Sequence, residues 1–145
     1  MSEAAGIVIL IGRILFVLFP GYESGFKFHL RQSKAAAGYA QAGKFPVPIL
    51  GGWPAGLWLV IGSLSIAIGI YPDIGALMLA VFVVIAALYF HRFWQVTDPG
   101  ERYVQTSYFY RNVIMLGACL IMFAFFASVG NELPYAVTGS LIDLN

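Results

Sequence analysis

Four long runs of apolar residues dominate this sequence and restrict what it can fold into. They cover approximately residues 4–22, 47–71, 74–94 and 108–129. Each is close to the ~20 residues that an α-helix needs to cross ~30 Å of hydrocarbon. Because lipid offers no hydrogen-bond partner to an unpaired backbone group, such a run has to be helical. The sequence therefore predicts an all-α membrane protein with a bundle of four transmembrane helices.

The composition supports lipid as the natural solvent. Hydrophobic residues make up 60% of the 145 residues and charged residues only 10%, against about 25% charged residues in soluble domains. The length fits one domain over residues 1–145. A net charge of +1 gives no argument for binding nucleic acid. Cys119 is the only cysteine, so an intrachain disulfide and a CxxC redox pair are both excluded.

The fourth helix is predicted to begin before its apolar part. Asp98 can cap a helix that has Pro99 in its first position, and Glu101 would complete a capping box. The predicted helices are then residues 4–22, 47–71, 74–94 and 99–129, with a short surface helix in the first loop. This surface helix would run from a capping Ser33 to Ala42.

The distribution of basic residues predicts the orientation. Seven of the eight Lys and Arg residues fall on the side that holds the first and third loops. The positive-inside rule makes this side cytoplasmic, which predicts that both termini are extracytoplasmic. Only Arg13 lies elsewhere, within the first helix.

Arg13 is the first candidate for a functional residue. A charge near the middle of a membrane helix costs a few kcal/mol, so it needs a reason. It could snorkel to the interface, or it could face the bundle and bind a carboxylate, a quinone oxygen or a lipid headgroup. Glu3 and Asp73 are its only plausible acidic partners within the chain.

A second group of candidates surrounds the start of the fourth helix. His91 and Trp94 end the third helix, where an aromatic belt would also explain them. A polar stripe with the spacing 3, 4, 3 follows on one helical face, made of Arg102, Gln105, Phe109 and Asn112. The stripe predicts either hydrogen bonds between helices or a polar pocket that is shared with His91 and opens to the cytoplasmic leaflet. Asp98 and Glu101 are expected to be structural caps.

Metal and cofactor sites receive little support from the sequence. A haem held by His29 and His91 is the one arrangement to consider, but histidines near an interface are more often hydrogen-bonded or solvated. The Cys and His clusters of zinc sites are not found in the sequence. We expect no cofactor other than a quinone or a bound lipid.

The region from the third to the fourth helix resembles the DoxX family of small bacterial membrane proteins. The resemblance is carried by the run from His91 to Pro99, HRFWQVTDP, and by five residues after it, Gln105, Phe109, Arg111, Asn112 and Gly117. Weaker similarity covers Arg13, Gly25 and Lys27 in the first helix, and Tyr39, Gly43 and Pro46 in the first loop.

The resemblance implies a four-helix protein of the bacterial plasma membrane. Some relatives are subunits of thiosulfate:quinone oxidoreductases, and others associate with redox or detoxification partners. Many members carry a glutamate in the second helix, where this chain has Leu59. Arg13 would then lack its usual counter-charge, which another chain or a lipid could supply.

Three functions follow as hypotheses. The first is an accessory membrane subunit of a larger redox-associated complex, in contact with lipid and other subunits. The second is a quinone-interacting subunit that uses Arg13, His91, Trp94, Gln105 and Asn112. The third is a small transporter, for which paired acids and broken helices at the membrane midplane are lacking in the sequence. An enzymatic activity cannot be assigned from the sequence.

Overall fold

A computed structural model describes residues 1–144, and these residues form helices joined by short turns. The five α-helices are α1 (Glu3–Val17), α2 (Ser33–Ala42), α3 (Trp53–Ile68), α4 (Pro72–Phe90) and α5 (Pro99–Val129). A π-helical segment, Leu18–Leu30, follows α1, and 3-10 turns occupy Pro48–Gly51, Phe93–Gln95 and Gly130–Glu132. The described part of the chain contains no β-strand, so the all-helical prediction is confirmed.

Three of the helical stretches are long and apolar enough to cross a membrane. They are Glu3–Leu30, Pro72–Gln95 and Pro99–Glu132. The shorter apolar helix α3 has 16 residues, or about 24 Å at the usual rise. The prediction of a multi-pass membrane protein is therefore confirmed, while a crossing by α3 stays a prediction.

The first helix differs from the prediction that it spans residues 4–22. It is α-helical only to Val17 and then continues as a π-helix to Leu30. Pro20 explains the change, because a proline has no N–H for the α-helical hydrogen-bond ladder and its ring clashes with the preceding turn. A wider π turn restores backbone pairing around such an interruption. This segment packs closely on α3: a Cβ on Gly25 would lie 3.0 Å from the Cβ of Leu59.

The turn between α3 and α4 covers residues 69–71, earlier in the chain and one residue longer than the predicted helix limits of 71 and 74 implied. Gly69 ends α3 with a φ of 72°, a left-handed conformation that glycine adopts at low cost. The Ser65 hydroxyl then donates to the carbonyl oxygens of Ile70 and Tyr71 at 2.7 and 2.9 Å. Pro72 occupies the first turn of α4, where its missing N–H costs nothing.

The four apolar helices share one core. The buried cluster draws on α1, α3, α4 and α5 and on the segment after α5; it contains Val17, Leu59, Ile66, Ala76, Leu79, Ala80, Cys119, Phe126 and Leu133. Within this arrangement α3 packs against the π segment and α4, and α5 packs mainly on α4. The core lies towards the end of the bundle that holds the segment after α5, and the helices separate towards the other end.

Residues 133–144, which we call the C-terminal segment, fold over one end of the bundle. Val137 and Thr138 donate their backbone N–H groups to the carbonyl oxygen of Gly69 at 3.1 and 3.0 Å. The Thr138 hydroxyl in turn accepts from the backbone N–H of Tyr71 at 3.0 Å. The segment thereby satisfies backbone groups that the end of α3 and the following turn leave unpaired.

Candidate ligand cavity

Arg13 lies at the C-terminal-segment end of the bundle and is only 2% exposed. Its Nε donates to the carbonyl oxygen of Ile66 at 2.8 Å, and Nη2 donates to that of Ala67 at 2.9 Å. Nη1 donates to the carbonyl oxygens of Pro134 and Tyr135 at 3.1 and 3.3 Å, and Nη2 also reaches Tyr135 at 3.3 Å. These five hydrogen bonds match the five N–H donors of a guanidinium group.

The contacts of Arg13 assign it a structural role. The charge neither snorkels to water nor pairs with Asp73, since that carboxylate accepts instead from the backbone N–H groups of Leu141 and Ile142 at 2.9–3.1 Å. Because every N–H of Arg13 is used, none remains for a quinone or a headgroup. A ligand-binding role for Arg13 stays a prediction, and these contacts do not favour it.

An apolar cavity lies at the opposite end of the bundle, between the π segment, α2, α3, α4 and α5. Its volume is about 520 Å³, within the range of small-molecule sites. Aromatic and aliphatic side chains form most of its wall, and the aromatic ones are Phe19, Phe28, Tyr39, Phe45, Trp58, Phe82, Phe90 and Tyr108. The side chains that can ionise or hydrogen-bond are few: Ser24, His29, Arg111 and Asn112, with His91 and the two tyrosines.

His91 lies on the wall of this cavity, just after α4. Its Nδ1 is 3.1 Å from the Oε1 of Gln105. An amide oxygen can only accept, so Nδ1 carries the proton and Nε2 is the acceptor of the neutral ring. The ring packs 5.3 Å from that of Tyr108. Gln105 does not line the cavity itself, and its contribution is to hold the His91 ring.

His29 lines the same cavity from the π segment. Its Nδ1 is 2.7 Å from the carbonyl oxygen of Gly51, which again places the proton on Nδ1 and leaves Nε2 as an acceptor. The ring meets Phe82 edge-on at 5.6 Å. The sequence suggested His29 only as a haem ligand, and its position here depends on the π turns that no sequence signal announced.

One face of α5 contributes Tyr108, Arg111, Asn112 and Met115 to the cavity wall. The Nδ2 of Asn112 donates to the carbonyl oxygen of Tyr108 at 2.9 Å, and the Arg111 guanidinium lies 5.4 Å from the centre of the Tyr108 ring. The predicted stripe shares Asn112 with the cavity wall, but its Phe109 packs against Phe93 and Trp94 instead. The face of α5 that lines the cavity is therefore rotated about the helix axis from the predicted stripe.

Trp94 is brought to a different place from His91 and Asn112. It is 49% exposed and packs edge-on against Phe93 and Phe109, at 5.2 and 5.8 Å, outside the cavity. This places Trp94 in an aromatic group at the start of α5. There the Asp98 carboxylate accepts from the backbone N–H of Glu101 at 2.8 Å as the N-cap of α5.

The short helix α2 closes one side of the cavity. Its Tyr39 ring stacks on Phe90 at 5.3 Å, and burial raises the pKa of this phenol, with a smaller contribution from Tyr108. Ser33 is the first residue of α2 rather than its cap, and its hydroxyl accepts from the backbone N–H of Trp53 at 2.7 Å. This bond fastens α2 to the start of α3.

The two imidazoles make separate contacts within the chain. His29 packs on Phe82 and His91 packs on Tyr108. Each Nδ1 is hydrogen-bonded to an oxygen of the chain. Within residues 1–144, moreover, no group of three His, Cys, Asp or Glu side chains could hold a metal ion.

Comparison with known proteins identifies one family. The family model described as DoxX matches residues 6–92, which contain most of α1 and all of α2 to α4 and end just after His91. The matched range therefore includes both cavity histidines but not Arg111 or Asn112 of α5. Neither the curated proteins nor the solved structures contain a match.

Proposed function

We propose that this chain, which belongs to the DoxX family, is an accessory subunit of a redox-associated complex in the bacterial plasma membrane and holds a quinone-type molecule in its aromatic cavity. The observation that carries the proposal is one apolar cavity with two histidines whose tautomers are fixed. His29 and His91 each use Nδ1–H within the chain, which leaves each Nε2 to exchange a proton with a ligand oxygen. Electron transfer is assigned to a partner subunit.

The dimensions of the cavity support this ligand class. The cavity volume of about 520 Å³ is large enough for a small quinone. The aromatic walls suit a flat ring and an apolar tail. The second amide hydrogen of Asn112 and the Tyr39 hydroxyl are further donors to a carbonyl oxygen.

We expect the purified protein in mild detergent to bind a short-chain ubiquinone, and His91→Phe to weaken this binding roughly 3- to 10-fold, the value of one neutral hydrogen bond. The double variant with His29→Phe should weaken it further. Binding can be followed by quenching of tryptophan fluorescence.

Trp94→Phe is the matched control, because Trp94 is aromatic and near His91 in sequence but lies outside the cavity. It should leave the affinity unchanged. Unchanged binding in the double histidine variant would show that the cavity is not the quinone site.

We further propose that α3 crosses the membrane with the three longer helices, which places the cavity near the cytoplasmic leaflet and both termini outside. Loops one and three carry the basic residues, and a crossing by α3 is assisted by local thinning of the bilayer around a short helix.

Cysteine labelling tests this topology on a Cys119→Ser background. A membrane-impermeant maleimide should modify Ser2→Cys and Tyr71→Cys in intact cells and modify Lys44→Cys only after the cells are opened. All three original side chains are exposed in the structure. The reverse labelling pattern would invert the orientation, and protection of both Lys44→Cys and Tyr71→Cys in intact cells would remove the α3 crossing.

A further inference from the structure

The apolar stretches contain two arginines in contrasting surroundings. Arg13 is buried and all five of its N–H groups donate to backbone carbonyls. Arg111 lies on the cavity wall within the span of α5. Its one side-chain interaction with the described residues is the 5.4 Å contact with the Tyr108 ring. Its five N–H donors are thus available to a molecule in the cavity.

The cavity offers this cation no counter-charge. The ionisable groups that line it with Arg111 are His29, His91, Tyr39 and Tyr108, and none of its lining residues is an aspartate or a glutamate. Arg111 is exposed and lines the cavity beside apolar and aromatic side chains, so an anion that reaches its guanidinium gains a charge-assisted hydrogen bond. The planar guanidinium also suits the bidentate binding of paired oxygens.

We infer that Arg111 forms an anion subsite, so that the ligand of this cavity carries a negatively charged oxygen next to its apolar body. The inference rests on the proposed function and deepens it: among quinone-type molecules, the site would select those with an ionised hydroxyl group on the ring. A carboxylate on an alkyl chain shares the anionic oxygen and is distinguished below. The sequence raised the question of which anion pairs with Arg13, and we place the bound anion beside Arg111 instead.

Two probes of nearly the same shape test the subsite. They are 2-hydroxy-1,4-naphthoquinone, an acid that is ionised at neutral pH, and its neutral 2-methoxy analogue. An arginine side chain stays protonated at every practical pH, so Arg111 is the permanent cation of the wall. We expect the hydroxy compound to bind about tenfold more tightly than the methoxy compound, as one charge-assisted hydrogen bond allows.

Arg111→Gln keeps hydrogen-bond donors but removes the charge, and it should bring the two affinities together. Arg111→Lys should retain part of the preference. Arg102→Gln is the matched control, because Arg102 is exposed on the same helix outside the cavity, and it should change neither affinity. Thermal unfolding of each variant reports whether the fold is intact.

The outcomes separate this inference from the proposed function. Equal affinities for the two naphthoquinones in the unmodified protein overturn the anion subsite and leave the quinone cavity standing. A preference that persists in folded Arg111→Gln also overturns the role of Arg111. If laurate binds in an Arg111-dependent way and neither naphthoquinone binds, the subsite is supported and the quinone proposal fails.

Discussion

Replacing Arg13 with alanine is expected to lower the free energy of unfolding by about 3–5 kcal/mol, because four backbone carbonyl acceptors lose their charged donor. The change would leave the carbonyl oxygens of Ile66, Ala67, Pro134 and Tyr135 without their donor. It would also detach the first part of the C-terminal segment from α1. The site is only 2% exposed, so these carbonyl oxygens have little contact with bulk water that could compensate for the lost donor.

The loss can be measured by thermal unfolding in detergent and by limited proteolysis, which should cut the C-terminal segment earlier in the variant. Arg13→Lys provides three donors instead of five and should fall between the two proteins. Arg102→Ala removes an exposed arginine and should stay within about 0.5 kcal/mol of the unmodified protein. A stable Arg13→Ala protein that had lost quinone binding would restore Arg13 as a ligand residue.

Features set by neighbouring residues could be predicted well from the sequence. The bounds of α5, Pro99–Val129, agree with the prediction because the N-cap, the proline and the apolar run are all local signals. The apolar runs likewise identified the segments that form the bundle. The ends of the helices could be predicted less closely. The helix α3 begins and ends inside its apolar run. Its early end is explained by Gly69, which adopts a left-handed turn.

Features set by distant residues could not be predicted in this way. The hydrogen-bond partners of Arg13 are 53 to 122 positions away along the chain. Nothing near Arg13 in the sequence distinguishes a bond to backbone carbonyls from a bond to a ligand. The C-terminal segment was not predicted to have a role, because most of its polar contacts are made by backbone groups that are the same in every sequence.

The cavity illustrates an intermediate case. The polar spacing on α5 and the end of α4 pointed to Asn112 and His91, and the structure places both on one cavity wall. It also adds His29, Tyr39 and Arg111, whose arrangement depends on the rotation of the π turns and on the docking of α2. A rotation of one residue step, about 100° in an α-helix, moves a side chain to another face. Trp94 shows the result, since it lies close to His91 in sequence and yet outside the cavity.

Asp73 is the site of the second large effect. Its carboxylate is fully buried near the start of α4, where the helix dipole favours a negative charge. It accepts from the backbone N–H groups of Leu141 and Ile142. We expect Asp73→Ala to lower the free energy of unfolding by about 2–4 kcal/mol, because two donors lose their charged acceptor. Hydrogen exchange of residues 137–144 should become faster.

Glu132→Gln is the matched control for Asp73, because it removes a carboxylate charge close to the C-terminal segment from an exposed position. It should change the stability by less than about 0.5 kcal/mol. Unchanged hydrogen exchange in Asp73→Ala would show that the contacts of Asp73 do not hold the segment.

The double variant Arg13→Ala/Asp73→Ala tests whether the two ends of the C-terminal segment are held cooperatively or independently. Arg13 holds the first part of the C-terminal segment and Asp73 the last part, and the Gly69 carbonyl binds between them. If the segment detaches as a unit, the loss of one anchor removes most of what the other contributes, because both hold the same element. We therefore expect the double variant to be destabilised by less than the sum of the two single losses. Additive losses would mean that each half of the segment is held independently.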